Sequence, residues 1–137
     1  MHDMKSKRAG IFAVVVAFGI AGGLVLNAQQ PPQTKRNIVL KQDMTIPDRE
    51  AVMALVELPP GSAEGKHTHP AEVYAFVQEG TISLENEGNP TVTLKAGEVF
   101  HLLPGKVHQA INNGSVTARL AAVFVAEKGK PLTTPVK

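Results

Sequence analysis

The chain has 137 residues, with 14 basic and 12 acidic residues and no cysteine. Three of the basic residues and one acidic residue lie in the first eight positions, which leaves 11 of each sign in the remainder. A neutral body lacks the clustered positive charge that nucleic-acid binding requires, so no nucleic-acid partner is expected. The absence of thiols excludes disulfides and cysteine-ligated metal sites.

The first 28 residues are interpreted as a signal peptide or a membrane anchor. Met1–Arg8 is short and basic and Ile11–Leu26 carries no charge, which is the order of segments in a secretory signal. The uncharged run is shorter than the roughly 20 residues that a spanning helix prefers, so cleavage near Ala28 and retention as an anchor both stay open. Either outcome predicts an exported protein, periplasmic or secreted or membrane-anchored, with residues 29–35 as a linker.

The body of the chain has the pattern of an all-β protein. Short β-branched and aliphatic runs alternate with Gly, Pro and Asn, and no long segment keeps a helical period. A single domain at residues 36–127 is predicted, followed by a polar tail at residues 128–137 that crosses the surface or frays. The predicted strands are Asn37–Gln42, Ala51–Leu58, Val73–Gln78, Thr81–Glu85, Thr91–Lys95, Val99–Leu103, Val107–Asn112 and Thr117–Val125. That number of antiparallel strands can close a small barrel or jelly roll.

Two strand patterns predict which faces are covered. Leu120–Ala126 is apolar throughout and is therefore predicted to be an inner strand. Tyr74 and Phe76 point to the face opposite Val73, since side chains alternate along a strand. They are therefore predicted to be core or subunit-contact residues.

Histidines are the main candidates for chemistry. His67 and His69 stand two positions apart, so in an extended segment both can point to one site. His108 opens another predicted strand and would add a third imidazole if the two strands are neighbours. Three imidazoles suit Fe, Mn, Ni, Zn or Cu without choosing among them. Without a metal, the same residues allow another interpretation, in which His67–His69 is a polar turn before a strand and His108 caps a hairpin. His101 is interpreted as a partly exposed strand histidine.

The spacing of glycines and histidines resembles two motifs of the cupin family, over Gly61 to Asn112. The first motif is G(x)5HxH(x)3E(x)6G and the second is roughly G(x)5PxG(x)2H(x)3N. The matching positions are Gly61, His67, His69 and Gly80, and then Gly97, Gly105, His108 and Asn112, with the proline displaced to Pro104. The resemblance implies a small single-domain cupin, a double-stranded β-helix or jelly-roll barrel whose mouth holds a divalent transition metal on His67, His69 and His108.

One position departs from the family pattern. Residue 73, where the motif has its metal-binding Glu, is Val. The adjacent Glu72 would point to the opposite face of the strand unless a β-bulge turned it inward. Three-histidine ligation is therefore preferred over a set that includes Glu72. An ion held by neutral imidazoles keeps its full 2+ charge and is a stronger Lewis acid, but is retained less tightly.

Other polar residues near the motifs have simpler interpretations. Gln109 and Asn112 could orient His108 by hydrogen bonds, although a turn role for Asn112 is favoured. Glu57, Glu64, Lys66 and Lys106 are interpreted as solvated charges.

Three functions stay open at this stage, and no catalytic residue is assigned. The first is a metal-dependent enzyme on a small molecule, since the resemblance implies dioxygenase, isomerase or decarboxylase relatives. Its pocket would be lined by Val73, Ala75, Val77 and Ala110. The second is a non-catalytic module that binds a small ligand or a metal, and the third is a structural domain with a relic site. The resemblance also implies a homodimer.

Overall fold

A computed structural model describes residues 29–137, which form two five-stranded antiparallel sheets. The strands are β1 (Lys35–Asp43), β2 (Arg49–Leu58), β3 (His67–Thr68), β4 (Ala71–Glu79), β5 (Thr81–Asn86), β6 (Val92–Lys95), β7 (Val99–Leu102), β8 (His108–Ile111), β9 (Ala118–Glu127) and β10 (Thr134–Pro135). The first sheet has the order β1-β2-β9-β4-β7, and the second has the order β10-β3-β8-β5-β6. The predicted all-β jelly roll is confirmed.

The predicted signal peptide or anchor, residues 1–28, lies outside the described residues. Within residues 29–137, no helix has the length and hydropathy that crossing a bilayer demands.

All eight predicted strands are present, with ends that differ by two residues at most. The strands that the sequence did not predict are β3 and β10, which have two residues each. They pair with each other, Thr134 opposite Thr68 and Pro135 opposite His67, so the polar tail is laid against the second sheet.

The core lies between the two sheets. In β4, buried Val73, Ala75 and Val77 alternate with exposed Tyr74 and Phe76. The two aromatic side chains lie opposite Val73 as predicted, but the prediction that they could be core residues is wrong, because the core lies only on the inner face of this sheet. The other buried apolar side chains are Val52, Ala54, Val56, Leu58, Ala71, Ile82, Leu84, Leu102, Ala110, Ala118, Leu120, Ala122, Phe124 and Ala126. Because both sheets pack on this one core, the side chains of the second sheet, including its histidines, have a fixed position relative to the first sheet.

The chain passes from the first sheet to the second at Gly80. This residue has a φ of 73°, in the left-handed region that favours glycine. A Cβ at Gly80 would also lie 2.9 Å from the Cα of Ala118, which is closer than packed atoms allow. The turn therefore needs glycine for both conformation and space.

Strand β9 is the central strand of the first sheet, as its apolar sequence predicted. Its inner side chains, among them Leu120 and Phe124, are buried against the second sheet, whereas Ala121 and Val123 on the outer face are half-buried. Residues 29–137 thus cover only one of the two apolar faces of this strand.

Candidate metal site

Three histidines meet inside the barrel. His67 in β3 lies directly opposite His108 in β8, and His69 follows β3 two residues later. The three residues are only 4–5% exposed. The Nε2 atoms of His67 and His69 are 3.1 Å apart, and one nitrogen from each of the three rings lies within 4.8 Å of the others. The sequence-based prediction that these three side chains converge is therefore confirmed in geometry.

Backbone carbonyl groups fix the orientation of each ring. Because a carbonyl oxygen can only accept a hydrogen bond, the Nδ1 atom that faces it must carry the proton. In a neutral ring with this tautomer, the Nε2 atom carries a free lone pair, and this is the form of histidine that binds a metal. The acceptors are the carbonyl oxygens of Gly65, 2.6 Å from His67, of Leu132, 2.6 Å from His69, and of Lys106, 3.0 Å from His108.

Burial keeps the rings of His69 and His108 uncharged. Desolvation lowers the pKa of His69 from 6.5 to about 3, and it also lowers the pKa of His108. Both rings are therefore neutral at pH 7 and need not lose a proton to bind a cation. Two Nε2 lone pairs that face each other at 3.1 Å repel each other unless a cation lies near both. The donor set consequently fits a divalent transition metal.

The C-terminal tail forms part of the site, which the sequence did not predict. Leu132 supplies the carbonyl that accepts the Nδ1 proton of His69. The Thr133 hydroxyl lies 3.3 Å from the same nitrogen and accepts a hydrogen bond of 2.8 Å from Arg36 Nη1. The tail therefore links the start of β1 to a ring of the cluster.

The histidines line a cavity of about 30 Å³. Among its other walls are Val73, Ala75 and Ala110, as predicted, whereas Val77 packs in the core and does not line the cavity. A cavity of this size holds an ion with one or two water molecules, but no organic substrate.

Glu72 is not brought to the cluster. The pairing of β4 with β9 is regular from Ala71 to Val77, so no bulge turns Glu72 inward. Its carboxylate instead accepts a 2.6 Å hydrogen bond from the Tyr74 hydroxyl, which lowers the pKa of Glu72, and lies 3.4 Å from His101 Nε2. His101 stacks on the Tyr74 ring and is partly exposed on the outer face of the first sheet, as predicted.

Glu64 is a carboxylate that the sequence interpretation placed wrongly in solvent. Its side chain is 11% exposed, lies 3.5 Å from the Arg36 guanidinium and lines the histidine cavity. Its Oε2 accepts a hydrogen bond from the Ala110 backbone amide. Arg36 and Glu64 also line an outer groove of about 410 Å³, so this ion pair lies between the groove and the cavity. Nothing in the sequence joins these two residues, because they come from separate segments.

Gln109 and Asn112 do not contact the histidine rings by hydrogen bonds. Gln109 donates to Glu85 on the outer side of the second sheet. Asn112 is fully buried and donates to the carbonyl groups of Leu58 and Val116, at 2.7 and 2.8 Å, while its oxygen accepts the amide proton two residues on. The structure thus confirms the predicted turn role of Asn112.

Known proteins share this sequence pattern and this fold. Residues 54–124, just over half of the chain, match the cupin domain. A germin-like protein, subfamily 2 member 1, of Arabidopsis thaliana is 36% identical over 89 residues, which are 59% of this chain and 41% of that protein. A Klebsiella pneumoniae protein with a double-stranded β-helix domain is 21% identical, with a TM-score of 0.62 over 93% of this chain and 99% of that one.

A solved structure of oxalate oxidase is 26% identical, with a TM-score of 0.58 over 63% of this chain and 46% of that chain. The chain thus spans less than half the length of both the germin-like protein and the oxalate oxidase. The cupin match runs from the middle of β2 to the middle of β9 and includes β3 and β8, which carry His67 and His108. The chain therefore belongs to the cupin family.

Proposed function

We propose that this chain is a metal-dependent cupin enzyme that acts on a small molecule, in a dioxygenase-like or isomerase-like reaction. His67, His69 and His108 would hold a divalent transition metal through their Nε2 atoms. The observation that carries the proposal is the hydrogen bond from each Nδ1 to a backbone carbonyl, which leaves three buried lone pairs facing one another. When bound, the metal would supply Lewis acidity.

The charge of the site supports a polarising centre. Burial lowers the pKa of His69 and of His108, so both rings are neutral, and Val73 faces the cavity where a carboxylate would lower the charge of the ion. Glu64 is a cavity-lining carboxylate, and it is already paired with Arg36 and with the Ala110 amide. An anionic substrate would therefore meet a nearly undiminished 2+ charge.

The entrance indicates how a substrate would approach. The cavity is too small for an organic molecule, while the groove on the other side of the Arg36–Glu64 pair has a volume of about 410 Å³. Arg36 gives one hydrogen bond to Thr133 and one nitrogen to its ion pair with Glu64, and a guanidinium has five N–H donors, so some of them remain available. Arg36 can therefore bind a small carboxylate at the entrance, and oxalate is the first compound to test because an oxalate oxidase is among the similar structures.

A non-catalytic metal-binding or ligand-binding module is the second candidate. The small cavity favours it, because an ion with its water molecules would already fill the space. Turnover of a small molecule by the metal-loaded protein would support the enzyme, and metal binding without turnover would support the binding module.

The test has two steps. Metal content is measured by elemental analysis for the wild type, His67→Ala, His108→Ala and the control His101→Ala, whose ring lies on the outer face. We expect one equivalent of metal in the wild type and the control, and less than about a tenth in the other two variants. The metal-loaded protein is then assayed for oxygen uptake and product formation with oxalate and other small carboxylates. Metal without turnover supports the binding module, and equal metal content in all four proteins refutes the ligand set.

We extend the proposal to location, because Met1–Arg8 and Ile11–Leu26 have the order of a secretory signal. Cell fractionation with N-terminal sequencing tests it. A cleaved chain in an extracytoplasmic fraction, or an uncleaved chain in the membrane fraction, agrees with export. An uncleaved chain in the cytosol contradicts it.

A further inference from the structure

We infer that the C-terminal tail, residues 129–137, is a displaceable strap over a cleft that binds the body of a small organic anion. The tail lies against the histidine cavity and divides this cleft into two grooves. That the anion is a substrate rests on the proposed function, whereas the opening of the tail depends on the fold alone and is testable without metal.

The two grooves lie on either side of the tail, and each includes one histidine of the cluster. His67 lines the outer groove of about 410 Å³, and His69 lines the second groove of about 390 Å³. The tail residues that line them are Thr133, Pro135 and Val136 in the outer groove and Lys130, Pro131 and Thr134 in the second. Displacement of the tail would therefore join the two grooves into one cleft above His67 and His69. Each groove alone has the volume of a small-molecule site, which is about 300 to 1,000 Å³.

The tail is held by few contacts. Strand β10 has two residues, and its Pro135 has no N–H group to donate to β3. Among residues 129–137, Leu132 is the one apolar side chain that packs against the core, and it is only half-buried. Segments with few buried apolar contacts open more readily than the core of a protein. The tail is therefore the part of the cavity wall that opens most readily.

The tail begins at a fixed residue that is followed by a hinge. The Lys128 ammonium forms an ion pair of 2.7 Å with Asp43, and the Lys128 amide donates a 3.1 Å hydrogen bond to the Asp48 carbonyl. Gly129 follows with a φ of 77°, and glycine can change its backbone angles more freely than any other residue. Residues beyond Gly129 can therefore move while Lys128 keeps the end of β9 in place.

The closed tail excludes an organic molecule from the cluster. The Leu132 carbonyl covers Nδ1 of His69 at 2.6 Å, and the Thr133 hydroxyl is hydrogen-bonded to Arg36 at 2.8 Å. The cavity that remains, about 30 Å³, admits an ion with one or two water molecules. Most of its other walls are strands of the two sheets, which are held by the shared core. An organic molecule that reaches the histidines must therefore displace the tail.

The charges of the cleft fit an anion. Arg36 is paired with Glu64, and Lys130 is paired with Glu127. Lys66 lines the outer groove and forms no ion pair within residues 29–137. The cleft therefore has one uncompensated positive charge. Opening of the tail would also release the Arg36 guanidinium from its tail partner, and a guanidinium binds a carboxylate well.

The test is a disulfide that locks the tail, introduced into the full chain as Thr68→Cys with Thr134→Cys. These residues lie directly opposite each other in β3 and β10, where the Cα atoms of an antiparallel pair are about 4.5 to 5.5 Å apart, within the range of a disulfide. The Thr68 side chain points away from the cavity, because side chains alternate along a strand and His67 and His69 point inward. The chain has no cysteine of its own, so the two introduced thiols can pair only with each other.

The reaction of the proposed ligands with diethyl pyrocarbonate, followed by mass spectrometry on the metal-free protein, reports the entry of a small organic molecule. We expect the oxidised locked variant to react at least 10-fold more slowly than the wild type at these histidines, and reduction by a phosphine should restore the wild-type rate. Truncation after Pro131 should raise the rate at least 10-fold. The control disulfide, Ser83→Cys with Thr93→Cys in β5 and β6, should react as the wild type does. The partly exposed His101 should react equally in all the proteins.

The charge preference of the cleft is tested with succinate, a dicarboxylate larger than oxalate, and with butane-1,4-diol, an uncharged molecule of the same carbon chain length. Succinate at about 10 mM should slow the reaction of the proposed ligands at least threefold in the metal-free wild type, and butane-1,4-diol should have no effect. Lys66→Ser should lose this protection. Lys106→Ser, at an exposed lysine outside both grooves, should keep it.

Circular dichroism establishes that each variant is folded. A locked variant that reacts as fast as the wild type would overturn the strap, as would a truncated chain that reacts no faster. Equal protection by succinate and butane-1,4-diol, or protection by neither, would overturn the assignment of an anion. A chain that shows the expected rates but binds no metal would refute the proposed function and leave the strap in place.

Discussion

Removal of the C-terminal tail after Pro131 should weaken metal binding without removing any proposed ligand. The truncation deletes the Leu132 carbonyl, which accepts the Nδ1 proton of His69 at 2.6 Å. It also deletes β10, which pairs with β3 and so supports His67. With no acceptor, the His69 ring is free to turn and to exchange its tautomer, so its Nε2 lone pair no longer points reliably into the cavity.

The expected loss follows from what is removed. Deletion of a hydrogen-bond partner behind a metal-bound histidine typically costs 10-fold to 100-fold in affinity, or about 1.4 to 2.7 kcal/mol. A buried N–H left without an acceptor costs about 1 to 3 kcal/mol, which agrees with that range. We therefore expect the dissociation constant for Zn²⁺ or Co²⁺ to rise between 10-fold and 100-fold, measured by competition with a chromophoric chelator.

Leu132→Ala in the full chain separates the carbonyl from the side chain. The Leu132 side chain packs against the core, so its truncation should lower thermal stability, but the backbone carbonyl stays in place. We expect the metal affinity of Leu132→Ala to stay within about threefold of the wild type. The reasoning is refuted if the truncated chain binds metal as tightly as the full chain, or if Leu132→Ala weakens binding to the same extent as the truncation.

Three further predictions concern pH, charge and buried hydrogen bonds. Burial lowers the folded-state pKa of His69 from 6.5 to about 3, so below pH 6.5 the unfolded chain binds a proton that the folded chain does not bind. The free energy of unfolding of the metal-free protein should therefore fall as the pH drops from 6.5 toward 3, by at most about 2 kcal/mol at pH 5. A urea midpoint that does not change with pH would contradict this prediction. Glu64→Gln should weaken metal binding about 10-fold, because it leaves the positive charge of Arg36 uncompensated beside the cavity. Glu85→Gln, on the outer surface, should leave chelator competition unchanged, and equal effects of the two substitutions would exclude a special role for Glu64. Asn112→Ala should lower the free energy of unfolding, measured in urea, by about 2 to 4 kcal/mol, because it removes the hydrogen-bond partners of buried backbone groups. The control Asn113→Ala, at an exposed position, should lower it by less than about 1 kcal/mol. The opposite order would be inconsistent with the hydrogen bonds described.

Local patterns in the sequence account for most of the fold. The alternation of β4 fixed which side chains enter the core, and glycines such as Gly80 marked the turns at which the chain reverses. The i, i+2 spacing of His67 and His69 predicted a shared direction without any knowledge of the sheet order. The addition of His108 needed the pairing of β3 with β8, which the cupin resemblance supplied and local pattern did not.

The features that were not predicted depend on long-range contacts or on backbone atoms. A strand of two residues, such as β3 or β10, is too short to have a period. The Leu132 carbonyl has no side-chain signature, because every residue has a carbonyl group. The Arg36–Glu64 pair joins two segments that only the folded sheets bring together. The apolar sequence of β9 predicted an inner strand, but it did not predict that its outer side chains would be only half-buried within residues 29–137.

The position of Leu132 also sets the order in which the site is completed. The carbonyl that orients His69 is synthesised 63 residues after the histidine itself. A nascent chain therefore exposes His67 and His69 before this contact can form, and an ion captured at that stage would be loosely held and free to exchange. We therefore expect the retained metal to be one that is available when Leu132 reaches the site, rather than one that met the histidines as they emerged.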